Sequence, residues 1–214
     1  MIDGYGSIAK FVKKRPFSEV DRITLADDMF FWSKLWRTRF LLDNDIRCPE
    51  GMYSEDNFVQ WKALLCRPRL ALLPEMMYHY RVNLTSTMRG TENKAAWDLP
   101  KIYDLIKKML IETDNYHGEW KEIFLQKKLK ALRAPYVHVA SHRKAEYLRM
   151  VREAIGQDET EYLIHNKTLK RQIAVFYRAL LGSRCAAIEN AAWLTLRGFN
   201  ARCNALRYKL KRAA

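Results

Sequence analysis

The sequence predicts an α+β fold that is predominantly α, and three observations carry that prediction. The stretch RLALLPEMMYHYRV, residues 69–82, places β-leaning residues on both sides of Pro74. It reads as two short strands, roughly 69–73 and 76–82, the second the better formed. Upstream of it, apolar residues recur at helical spacing. Downstream of Trp97 the texture is helical almost to the end, interrupted at Asn115, Pro135, Gly156 and Gly182.

Taken in order, residues 8–15 (IAKFVKKR) are short and basic, and Pro16 stops them. Ser18 reads as the N-cap of a helix that includes Val20 and Ile23. From Asp28 an aromatic helix is expected, with apolar residues at 31, 32, 35, 36, 40 and 41. Asp43-Asn44-Asp45 ends it, because short polar side chains compete for the backbone. Pro49 and Gly51 make a turn, and Ser54 caps a helix that runs to about Cys66, before Pro68. Residues 83–90 are loop, and helices are expected at roughly 97–112, 117–133, 135–156, 158–181 and 184–211.

With 214 residues, 49% of them apolar, the chain can bury a real core and is no disordered protein. Cys48, Cys66, Cys185 and Cys203 form no C-x-x-C pair and are expected to be reduced thiols. MIDGYGSIAK lacks a signal-peptide core, and no apolar stretch is long enough to span a bilayer. A cytoplasmic chain is expected. The net charge of +14 is unevenly placed: residues 165–214 hold 11 Lys/Arg against 1 Asp/Glu. The basic character therefore belongs to the C-terminal segment.

Glu55 and Asp56 are adjacent carboxylates at the predicted start of a helix. Acids in a first turn interact well with the helix's partial positive charge, and that alone explains many such pairs. The same placement favours the ionised form and fixes its position. A charged carboxylate so held can accept a proton from a sugar hydroxyl as it attacks an electrophilic carbon.

WSKLWRTRFLLDNDIRCPEGMYSEDNFVQWKALL, followed by LLPEMMYHYRVNLTSTM, resembles the C-terminal part of family 2 glycosyltransferases, the GT-A enzymes of bacterial polysaccharide and capsule synthesis. Trp32, Lys34, Leu35 and Arg37 match a W-x-K-L-x-R segment. Phe40, Leu41, Asn44, Ile46, Pro49, Glu50 and Gly51 match the turn that follows it. Glu55, Asp56 and Phe58 match an E-D-x-x-F helix, and Tyr78, Tyr80, Arg81, Ser86 and Met88 close the set. Cys48 stands where the family usually has Phe. The likeness covers roughly 60 residues, and its specificity lies in the order and spacing of the pieces.

The resemblance implies an acceptor-side portion of a GT-A fold over residues 1–95 and a helical extension over 96–214. It gives Asp56 the role of catalytic base and Glu55, Trp32, Lys34 and Arg81 an acceptor-side role. It implies transfer of a sugar from a nucleotide-sugar to a glycan or lipid-linked acceptor, with Mg²⁺ or Mn²⁺ on the donor diphosphate. The family's nucleotide-binding half, with its V-D-D-G-S and D-x-D motifs, does not precede Trp32. Asp43-Asn44-Asp45 falls on the family's turn, and Asp27-Asp28 lacks a leading apolar strand. No cofactor is therefore expected on this chain. Activity is expected to need a donor-binding half from another polypeptide, since without the metal the leaving group is poorly stabilised. The alternative is a non-catalytic, membrane-peripheral binding or scaffold protein that kept the acceptor side.

His138, His142 and Glu146 sit at metal-ligand spacing on a predicted helix, but with no H-E-x-x-H pattern they read as a solvated face. Asn83-Leu84-Thr85 is a glycosylation sequon that a cytosolic chain does not use. From Ala192 the apolar residues at 192, 196, 199, 203, 206 and 210 form one helical stripe between basic residues. Such a helix, over 184–212, suits an anionic surface at the inner face of the cell membrane. It equally suits packing on the helical part with a solvated basic face. Nucleic acid is the rival partner that a pI of 9.7 invites. No nucleic-acid motif accompanies the charge, so none is expected.

Overall fold

The computed structural model describes residues 30–66, 94–166, 169–184, 190–192 and 194–195, with the side chain of Trp32 outside that set. Among the described residues the secondary structure is predominantly helical and contains no strand. This corrects the expected α+β class. The α+β reading rested on residues 69–73 and 76–82, which lie outside the described residues, as does the predicted helix after Ser18. Where the chain is described, apolar residues bury along helix faces rather than at alternate positions. The helices are α1 (Thr38–Asp43), α2 (Glu55–Leu65), α3 (Lys94–Glu112), α4 (Gly118–Arg133), α5 (Lys144–Glu153), α6 (Gln157–His165) and α7 (Arg171–Leu180).

The chain divides into two compact units, residues 1–131 and 132–214. In the first, α2 packs on α3; Val59 and Ala63 of α2 and Ala95, Ala96 and Leu99 of α3 are all buried, and Val59 and Ala63 share a core cluster with Ile46. Trp61 of α2 is fully buried, with ring centroids 6.0 Å from both Trp120 and Phe124 of α4. Tyr103 of α3 meets the same Phe124 at 5.9 Å. These aromatic contacts tie three helices to one centre. α3 contains Pro100, which cannot donate to the Ala96 carbonyl; its ring is buried.

The aromatic helix expected from Asp28 is broken. Phe31–Ser33 is a single 3-10 turn, Lys34 is extended, and α1 starts only at Thr38. Side chains take up the turn's carbonyls: Ser33 Oγ and Lys34 Nζ each donate to Phe30 O at 2.8 Å, and Trp36 Nε1 donates to Phe31 O at 3.3 Å. The regular spacing of aromatics reflects stacking across a bend. Phe31 stacks on Trp36 at 5.3 Å, and Trp36 on Phe40 at 6.4 Å. α1 ends where the Asp-Asn-Asp run predicts. Asp45 is left-handed at φ 46°, its N–H bonds Leu42 O at 3.1 Å, and the Ile46 N–H bonds Leu41 O at 2.8 Å. This is a Schellman ending, and Leu41 packs on the core cluster that holds Ile46.

In the second unit the Tyr147 hydroxyl, fully buried, donates to Leu132 O at 2.7 Å. Phe176 packs against Tyr136 at 5.4 Å and against Tyr177 at 5.0 Å. Both long helices expected here are divided. Residues 135–156 become two 3-10 turns, Ala134–Val137 and Ser141–Arg143, with non-helical Ala140 between them, followed by α5. Residues 158–181 become α6 and α7, because Asn166 leaves the helix and its side chain accepts the Leu169 N–H at 3.0 Å. The predicted break at Gly182 is a second Schellman ending, with φ 107° there and Ser183 N–H bonded to Arg178 O at 2.9 Å. The tail helix expected at 184–211 lies almost entirely outside the described residues.

Candidate functional site

The turn leading into α2 sets the position of the carboxylate pair. Gly51 takes φ 71°, a region where only glycine is unstrained. Ser54 occupies the N-cap position, as the sequence suggests, but it does not cap with its side chain. It is left-handed at φ 65°, and its carbonyl accepts two hydrogen bonds from Asn57, one from the backbone N–H at 3.1 Å and one from Nδ2 at 3.2 Å. Glu55 and Asp56 then form the first turn of α2.

Asp56 is half-buried, and Asn57 Nδ2 also donates to its Oδ1 at 3.1 Å. Burial raises the Asp56 carboxyl above its ordinary 3.8, and the neighbouring Glu55 charge raises it further. The bonds from Asn57 and the positive charge of Lys34 oppose this without cancelling it. The outcome differs from the expectation that a helix start favours the ionised form. Here desolvation and a like charge outweigh the helix's partial charge. A carboxylate with a raised pKa is the stronger proton acceptor.

Cys48 joins the same group. Its thiol is pushed up from 9.0 by the protein around it and then by the charges of Glu55 and Asp56. Two stretches distant in sequence thus meet the pair: the charge of Lys34 acts on Asp56, and the charges of Glu55 and Asp56 act on Cys48. Arg81 and the side chain of Trp32 lie outside the described residues; the Trp32 backbone belongs to the 3-10 turn, which packs against α2.

Among the described residues no group of three or more His, Cys, Asp or Glu side chains could hold a metal ion. Asp45 is engaged by Arg47 Nε at 2.7 Å and by Lys62, whose ammonium also donates to the Asp45 carbonyl. His138 ends the first 3-10 turn and His142 lies in the second, with non-helical Ala140 between them, so the helical ligand spacing does not form. Glu146 is exposed and paired with Arg143 at 3.1 Å, which holds its carboxyl below the usual value.

Two residues near the pair escaped sequence reasoning. Asn57 could have been suspected, since it follows Asp56 directly and can bond both its carboxylate and the turn. Asp98 could not. It lies on α3, and its Oδ2 accepts the Tyr53 N–H at 3.0 Å across 45 residues of sequence.

No protein-family model matches this chain, and no curated protein or solved structure does. Among the described residues no helix is long and apolar enough to cross a membrane.

Proposed function

We propose that this chain supplies the acceptor side of a glycosyl transfer, in polysaccharide or cell-surface glycan synthesis. Asp56 takes the proton from the acceptor hydroxyl as that hydroxyl attacks the sugar's anomeric carbon. The carrying observation is the placement of Asp56: half-buried on the first turn of α2, hydrogen-bonded by Asn57 Nδ2 at 3.1 Å, with the charges of Glu55 and Lys34 close enough to act on it. Burial and the Glu55 charge strengthen Asp56 as a base, and its place on the rigid first turn of α2 fixes its aim. Glu55 and Lys34, with Trp32 and Arg81 by resemblance, are proposed to bind the acceptor. The nucleotide-sugar and its Mg²⁺ or Mn²⁺ are proposed to be held by a separate donor-binding chain.

The test needs no donor. The chain, ¹³C-labelled at Asp and Glu carboxyls, is titrated with a panel of short free and lipid-linked oligosaccharides. Carboxyl shifts at Asp56 and Glu55 that saturate with one glycan class support the reading. Saturable glycan binding that moves other carboxyls and leaves these two unchanged refutes it.

A second reading has its own observation. The concentration of 11 Lys/Arg against 1 Asp/Glu in residues 165–214 favours a peripheral binding protein at an anionic membrane face. In that reading the carboxylate pair is an inherited binding surface without turnover.

A further inference from the structure

We propose that Asp98 is a positioning residue for the carboxylate pair: from α3 it clamps the turn that delivers Asp56. The inference rests on the reading of Asp56 as the base.

The turn has reason to need a clamp. Ser54 is a non-glycine residue held at φ 65°, ψ 25°. Such a conformation persists only where its surroundings over-determine it. Asn57 ties the Ser54 carbonyl from within α2. From outside the helix, Asp98 Oδ2 accepts the Tyr53 N–H at 3.0 Å. A weaker contact runs from Ser54 Oγ to Ala95 O at 3.5 Å. Both external anchors come from the first turns of α3, which packs on α2 and whose Ala95 and Ala96 are buried. The other oxygen of Asp98 is engaged by Lys101 Nζ at 3.3 Å, so the carboxylate is itself oriented. Its side chain is 17% exposed. A hydrogen bond from a backbone N–H to a carboxylate is stronger than one to a neutral acceptor. Tyr53 precedes Asp56 by three residues, so a shift of the turn is carried directly into the base. Asp98 touches no reacting atom; its effect passes through the backbone.

The test compares Asp98→Asn with Asp98→Ala in the full chain. Both remove the charge. Only Asn keeps a side-chain carbonyl that can accept the Tyr53 N–H, so their difference isolates the hydrogen bond. The first readout is the titration midpoint of the Asp56 carboxyl by ¹³C NMR. We expect Asp98→Ala to move it down toward the ordinary value, as the loosened turn admits water, and Asp98→Asn to restore it largely. Given turnover, Asp98→Ala lowers kcat by about 10- to 100-fold while KM changes little, as expected for a displaced catalytic group. Equal midpoints in the two variants overturn the proposal. Should Asp98→Ala fail to fold, amide exchange of Tyr53 in the wild-type chain decides. Protection well above that of Gly51 supports the clamp, and exchange at the rate of an unstructured amide removes it. None of the NMR readouts depends on activity. A clamp that holds while Asp56→Asn transfers normally refutes the base and keeps the clamp; an essential Asp56 with no coupling to Asp98 does the reverse.

Discussion

Asp56 carries a stability cost in its half-buried place beside Glu55. Its carboxyl is raised above 3.8 in the folded chain by burial and by Glu55, so between 3.8 and that higher value the folded state binds more protons than the unfolded state. Stability therefore falls as pH rises through this window and stays lowered above it. Asp56→Asn removes the charge while keeping a carbonyl for Asn57 Nδ2. We expect the variant to melt higher than wild type at pH 7 and the gap to close by about pH 3, where the wild-type carboxyl is protonated in both states. Melting curves at the two pH values check this, and an equal Tm at both would contradict it. The sequence located this residue and its helix start but not the direction of its ionisation, because the burial that dominates it depends on how the chain packs around the turn.

At the level of elements, endings were more legible than continuity. The ends of α1, α3 and α7 fall at or beside Asp45, Asn115 and Gly182, and each is a Schellman ending with a left-handed residue: Asp45, Asp114 or Gly182. Short polar residues and glycine announce such endings in sequence. Interruptions within apolar runs were not announced. The bend after Phe31 arises from side chains that capture the Phe30 and Phe31 carbonyls, and the break at Asn166 from its bond to the Leu169 N–H. Aromatic spacing at 31, 36 and 40 imitated one helix although the chain turns between them. Ser54 shows the same limit: its place at the helix start was legible, but its left-handed backbone was not. Trp61 joins α2 to α4 through Trp120 and Phe124 with its indole N–H buried and unpartnered. Trp61→Ala should cost about 3–5 kcal/mol of stability. Trp61→Phe, which also removes the unsatisfied donor, should cost clearly less. Chemical denaturation of both variants would show this, and a larger loss for Phe than for Ala would contradict the packing described.

Across the whole molecule, the α+β class was misread and the distribution of charge was read directly. The class was read as predominantly α with a few short strands at residues 69–82; those residues lie outside the described set, and the described residues are predominantly helical with no strand. The charge distribution needs no structure: ten of the fourteen net positive charges fall in residues 165–214. On the described part of that segment Lys170, Arg171, Arg178 and Arg184 are all exposed. The chain is expected to bind vesicles containing anionic phospholipid in preference to neutral vesicles and to duplex or single-stranded DNA of equal charge concentration. Salt weakens binding to either polyanion, so the preference is the informative quantity. Co-sedimentation with the two vesicle types, with DNA as competitor, measures it, and stronger binding to DNA would overturn the membrane assignment.

The decisive measurement is sugar transfer by wild type and Asp56→Asn. Each is expressed in cells that supply any donor-binding partner, and their membranes are assayed with labelled nucleotide-sugars, Mg²⁺ or Mn²⁺, and the oligosaccharide class that shifts the Asp56 carboxyl. If Asp56 is the base, the folded Asp56→Asn chain loses transfer by about 10²- to 10⁴-fold. Transfer that depends on the wild-type chain and continues at the same rate with Asp56→Asn would remove Asp56 from the mechanism.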